Sequence, residues 1–126
     1  MKIKALSILF ALVATVGLTS VSLAQDAKTV KLEQTPGKFE ETQLKLKAGD
    51  YIFEVENNGV DHEVGFVLVE KGADASNPEN HIQEAYLANT ITDGQSAQSK
   101  VVSLDKGEYE FFCPLNPTPH YTIVVK

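Results

Sequence analysis

Hydrophobic and polar residues alternate along most of this chain, which is the pattern of strands with one buried face. Val30 and Leu32 alternate with charged residues over 28–33, and Leu44 and Leu46 alternate with lysines over 43–47. Ala48-Gly49-Asp50 supplies a turn. Tyr51, Phe53 and Val55 then face one way and Ile52, Glu54 and Glu56 the other, until Asn57-Asn58-Gly59 breaks the run. His62, Val64, Phe66 and Leu68 share one parity, and so do Tyr109, Phe111 and Cys113, and Tyr121, Ile123 and Val125. A further strand is expected over 100–104, with a turn at Lys106-Gly107. Residues 70–95 lack this rhythm. Asn77-Pro78-Glu79 resembles a helix start, with proline at the first helical position, and predicts a short helix through about Leu87. About seven short strands separated by turns predict an all-β fold, an antiparallel Greek-key sandwich or barrel with a short helical insertion.

The first 24 residues are different. Lys2 and Lys4 precede an apolar stretch from Ala5 to Leu18, too short for a comfortable membrane span. Ser22-Leu23-Ala24 offers small residues for cleavage. Residues 1–24 are therefore expected to be a secretory signal cut before Gln25, leaving a single domain over 25–126 in the periplasm. The leader would carry off two of the eleven basic residues and none of the seventeen acidic ones, so the mature domain is more acidic than the −6 of the full chain. It has no arginine. That composition argues against nucleic acid as a partner and favours a basic protein, or simply a well-solvated monomer.

Cys113 is the only cysteine, so no internal disulfide can form. In an oxidising compartment an unpaired thiol needs protection, and a metal ion is one protector. His62 lies far upstream and His120 seven residues downstream. Parity sends both Cys113 and His62 toward the core side at strand ends, where a metal at one pole of a sandwich would sit. One thiolate and two imidazoles form the ligand set of a blue-copper centre. A thioredoxin-like role would need a second cysteine, structural zinc a fourth strong ligand, and a Cys–His catalytic pair an orienting third residue. His81 is expected on the surface of the predicted helix, and Glu63 has the wrong parity to join His62 inside.

Three stretches carry a family resemblance. They are residues 46–59, a strand, turn and asparagine-bearing loop; residues 61–68, Asp-His-Glu-Val-Gly-Phe-Val-Leu; and residues 104–113, with Gly-x-Tyr-x-Phe-x-Cys. The chain resembles the cupredoxins, the plastocyanin- and azurin-like blue-copper electron carriers, over most of its mature length. The resemblance implies one copper ion per chain, held by His62 and Cys113, and a one-electron carrier between periplasmic redox partners. The ligand loop departs from the family pattern. Asn116 stands where a second histidine is usual, and no methionine follows the leader. His120 then either completes a trigonal set with His62 and Cys113, or binds axially while Asn116 or water takes the equatorial place. The altered loop keeps two further readings open: a copper carrier or buffer without a redox role, and a cupredoxin-like binding module without metal. Pro114, Pro117 and Pro119 stiffen the loop in any of these.

Overall fold

The computed structural model describes residues 27–126, so the expected leader lies outside the described residues. Eight strands form two four-stranded sheets. Sheet A contains β1 (Lys28–Thr35), β2 (Lys38–Phe39), β4 (Gly49–Asn57) and β6 (Ser96–Leu104), in the order β2-β1-β4-β6. Sheet B contains β3 (Gln43–Leu46), β5 (Val67–Glu70), β7 (Gly107–Phe112) and β8 (Tyr121–Val125), in the order β3-β8-β7-β5. The expected all-β sandwich is present, but it is not purely antiparallel. β1 runs parallel to β4, and β3 runs parallel to β8.

The core follows the alternation. Leu32, Tyr51, Phe53, Val55, Val64, Phe66, Leu68, Tyr109, Phe111, Cys113, Ile123 and Val125 all lie buried in one cluster between the sheets. Edge-to-face and tilted contacts among Phe39, Phe53, Phe66, Phe111 and Tyr121, with ring centroids 5.0–6.2 Å apart, fill its middle. A smaller cluster of Val67, Val69 and Phe112 lies on the outer face of sheet B, because those residues have the opposite parity.

The short β2 comes from a hairpin. Pro36 presets the first central torsion of the turn. Gly37 supplies the positive φ, +78°, that the second position of a type II turn requires.

The expected helix over 77–87 does not form. Asn77 does cap a start, its side chain accepting the Glu79 N–H at 3.0 Å, but only one 3-10 turn follows (Pro78–Asn80). A second 3-10 turn spans Gln83–Ala85. Between them, His81 bridges Val69 in extended conformation, and farther on Leu87 bridges Ser99. The segment holds few apolar residues, Ile82, Ala85 and Leu87 among them. Packing these against the core outweighs a helix too short to be stable alone.

Candidate metal centre

One pole of the sandwich gathers the ends of β1, β4 and β7 and the starts of β5, β6 and β8. Cys113, the residue after β7, is 1 % exposed and keeps the inward parity of Tyr109 and Phe111. Its sulfur accepts two backbone N–H groups, from Gly65 at 3.3 Å and from Asn116 at 3.2 Å. Its own N–H donates to Thr118 Oγ1 at 3.0 Å, which folds the 113–118 loop back on itself.

Asn116 is 3 % exposed. Its Oδ1 accepts the Gly37 N–H at 2.8 Å, and its Nδ2 donates to Gln34 Oε1 at 3.1 Å and to the Thr35 carbonyl at 3.0 Å. Gln34, fully buried, donates from Nε2 to the Gly65 carbonyl at 2.7 Å. The bonds Gln34–Gly65, Gly65–Cys113, Cys113–Asn116 and Asn116–Gln34 close a ring that ties the end of β1 to both loops flanking sheet B. The Gly37 turn is held on the outside of that ring.

His62 does not begin a strand and does not point inward. It lies exposed in the 57–66 loop, and β5 begins at Val67. Asn57, fully buried, holds that loop. Its Nδ2 donates to the His62 carbonyl at 3.1 Å and the Ile91 carbonyl at 3.2 Å, and its Oδ1 accepts the Val60 N–H at 2.9 Å. The His62 ring donates from Nδ1 to the Glu63 carbonyl at 3.0 Å. It is Gly65, three residues on, that reaches the sulfur. Glu63, on the exposed side as parity expects, accepts a hydrogen bond from Thr90 Oγ1.

His120 lies on the other side of sheet B from Cys113. Its ring stacks on Phe112, centroids 4.2 Å apart and planes 17° apart, and its Nδ1 is 3.7 Å from Glu110 Oε1. Glu110 and Phe112 have the outward parity of β7, whereas Cys113 faces in. His81 reaches the same outer layer. It is half-buried, edge-on to Phe112, and hydrogen-bonded to Tyr86 Oη at 2.6 Å and the Ala75 carbonyl at 2.8 Å.

The copper ion implied by the family resemblance therefore does not fit the residues as they stand. Among the described residues no three histidine, cysteine or carboxylate side chains are grouped to hold a metal. Cys113 is inside, His62 is exposed on its loop, and His120 is outside the sheet. Both amide protons of Asn116 and an oxygen lone pair are already used. Among the described residues no buried side-chain nitrogen or oxygen lacks a hydrogen-bond partner, so no orphaned donor awaits a cation. Sequence reasoning missed Gln34, Asn57 and Gly65. Continuing the inward parity of Val30 and Leu32 to Gln34, and of Phe53 and Val55 to Asn57, points to two buried amides at this pole.

This chain resembles known proteins in structure more than in sequence. No curated protein sequence matches it. Auracyanin B is similar in structure, with a TM-score of 0.63 at 20 % identity, covering 79 % of this chain and 89 % of that one. Auracyanin A, a "blue" copper protein from Chloroflexus aurantiacus, gives 0.63 at 16 % identity over 78 % and 98 %. Amicyanin from Paracoccus versutus gives 0.51 at 15 % identity over 80 % and 82 %. At these identities the likeness speaks for the fold. The family model of the cupredoxin-like domain matches residues 8–125, nearly the whole sequence, and the chain belongs to that family.

Proposed function

We propose that this chain is an exported, periplasmic cupredoxin-like domain that works as a protein-binding module, its pole closed by hydrogen bonds instead of copper. One observation carries the reading. Asn116, in the place of a second histidine ligand, spends its side chain on Gln34, Thr35 and Gly37. A side chain so engaged stabilises the pole directly, and freeing it for a metal would leave buried partners unpaired. His120 on the outer face of β7 supports the same conclusion. A catalytic Cys–His pair has no support, because the hydrogen bonds to the Cys113 sulfur come from two backbone amides.

A second reading keeps copper, as carrier, buffer or one-electron centre. The observation favouring it is the pair of N–H groups directed at the sulfur, the kind of outer support that orients a metal-held thiolate. It requires His62 or His120 to leave its present contacts.

Titration of residues 25–126 with Cu(II), and with Cu(I) under anaerobic conditions, separates the two. The binding-module reading expects no cysteine-to-copper charge-transfer band and an unchanged melting temperature in excess metal, since a ligand specific for the folded state must raise stability. A band saturating at one copper and lost in Cys113→Ser would overturn it in favour of a redox centre. Stoichiometric Cu(I) uptake without such a band would favour copper handling.

A further inference from the structure

We infer that the facing pairs Asn58-Gly59 and Asp93-Gly94 form a site of spontaneous covalent modification, each pair holding the other unreactive, and that its first event, loss of ammonia from Asn58, loosens the pole around Cys113. This goes beyond the binding-module reading and holds with or without copper.

In Asn-Gly and Asp-Gly the side-chain carbonyl is readily attacked by the next backbone nitrogen. Glycine has no Cβ to hinder the approach, and it adopts the torsions that ring closure needs. The chain contains one dipeptide of each kind. The two lie against each other. Asp93 Oδ1 accepts the Gly59 N–H at 2.8 Å, and the Gly94 N–H donates to the Asn57 carbonyl at 2.8 Å. Both glycines have positive φ, +94° for Gly59 and +86° for Gly94. Asn58, Gly59, Asp93 and Gly94 are all exposed, so water reaches them. Asn58 Nδ2 donates to Glu33 Oε2, which turns the amide toward β1.

These contacts occupy the reacting groups. To react, the Gly59 nitrogen gives up its proton and bonds to Asn58 Cγ. The Cγ–Nδ2 bond breaks, and Nδ2 leaves as ammonia with its two hydrogens and the proton lost by Gly59, relayed through solvent. Water then opens the five-membered imide at either carbonyl, giving aspartate or isoaspartate. A carboxylate on the Gly59 N–H opposes loss of that proton, and the bond to Glu33 keeps the Asn58 amide from turning onto the nitrogen. The site therefore reacts only when its loop opens.

The first reaction exposes the rest. The imide nitrogen carries no hydrogen, so Asp93 loses its donor, and its carboxyl is released for attack by the Gly94 nitrogen, with loss and later return of one water. A new carboxylate at position 58 faces Glu33, which already neighbours Glu56 in register. Repulsion there pulls the turn off β1, where the Asn58 N–H donates to the Gln34 carbonyl at 2.8 Å. Gln34 belongs to the hydrogen-bond ring that includes the Cys113 sulfur.

The test is peptide mapping by mass spectrometry, distinguishing asparagine, aspartate and isoaspartate, of the mature protein kept for weeks at mildly alkaline pH, folded and in urea. Asn58 should convert before any other asparagine, about tenfold more slowly folded than in urea. Asp93→Ala should speed it about tenfold in the folded protein, the factor one charge-assisted hydrogen bond is worth, and leave the rate in urea unchanged. In the folded protein, isoaspartate at 93 should appear only in chains already converted at 58, and not in Asn58→Ala. Asn58→Asp, at an exposed position, should fold, and its Cys113 should react with an aromatic disulfide reagent about fivefold faster than in the parent chain. Equal rates folded and in urea, indifference to Asp93→Ala, isoaspartate at 93 in chains intact at 58, or an Asn58→Asp thiol as slow as the parent's would each overturn the proposal.

Discussion

The amide nitrogen of Asn116 lies 3.1 Å from the amide oxygen of Gln34, joining a loop of sheet B to a strand of sheet A, both groups out of reach of water. Removing one partner leaves the other desolvated and unbonded, which costs more than the bond itself contributed. Asn116→Ala should lower unfolding free energy by about 3 kcal/mol, seen as a fall in urea midpoint at unchanged slope. Asn116→Asp sets a carboxylate against Gln34 Oε1 and the Thr35 carbonyl. Its carboxyl should titrate above the usual range, so its deficit should be full at neutral pH and shrink as pH falls and the group protonates.

Gly37 serves the same junction through its backbone. At φ +78° it adopts a conformation that costs a residue with a Cβ about 1 kcal/mol, although nothing lies within 4 Å of the place that atom would take. Gly37→Ala should therefore destabilise by about 1 kcal/mol through torsion alone, measured by urea denaturation. A loss above about 3 kcal/mol would mean that the bond from its N–H to Asn116 had broken too.

Cys113 and His120 are separated by the sheet, and reactivity can show it. The buried thiol should react with an aromatic disulfide reagent only through opening of the structure, orders of magnitude more slowly than in urea. His120→Ala, which removes a stack on Phe112 and a contact with Glu110 on the outer face, should cost less than about 1 kcal/mol and leave that rate unchanged. Asn116→Ala should accelerate it.

Glu40 offers a pH signature. Thr35 Oγ1 donates to Oε2 of Glu40 at 2.7 Å, and Lys38 Nζ is 3.6 Å away. The hydrogen bond first, and the lysine charge second, hold the carboxyl below its usual value. The folded value lies below the unfolded one, so the associated stability is present above the ordinary glutamate range and disappears as pH falls through the lowered folded value. In a side-chain carbonyl NMR titration, Thr35→Val should move the Glu40 midpoint upward. An unmoved midpoint would assign the shift to the lysine alone.

Strand parity was sufficient to read the buried faces from the sequence. Tyr51, Phe53 and Val55, and Tyr109, Phe111 and Cys113, lie where alternation puts them. Parity outlasts a strand by a few residues, as Val64, Phe66 and Cys113 show, and fails farther along a loop. Four loop residues separate His62 from β5, and the inward phase of Val64 and Phe66 does not extend back to it. His120 follows a loop with three prolines, across which alternation carries no phase, and the face it occupies is decided by Phe112 and Glu110. Asn116 beside Pro117 reads locally as a turn residue. Its partners stand about eighty positions away, on β1 and in the turn that follows it, at a distance where no local pattern could disclose them. The segment 77–87 contained a genuine helix start but too little apolar surface to continue it.

The parallel pairing of β3 with β8 has a bearing on how the molecule comes into being. β8 occupies an interior place in sheet B, with β3 on one side and β7 on the other, in register from Gln43↔Thr122 to Leu46↔Val125. Until residues 121–125 are available, sheet B lacks an inner member and β3 has no neighbour in it. Closing that gap joins segments nearly eighty residues apart, a contact of high order that makes folding slow. β8 is thus the keystone of the molecule, since the two halves of sheet B become one only when it has inserted between β3 and β7.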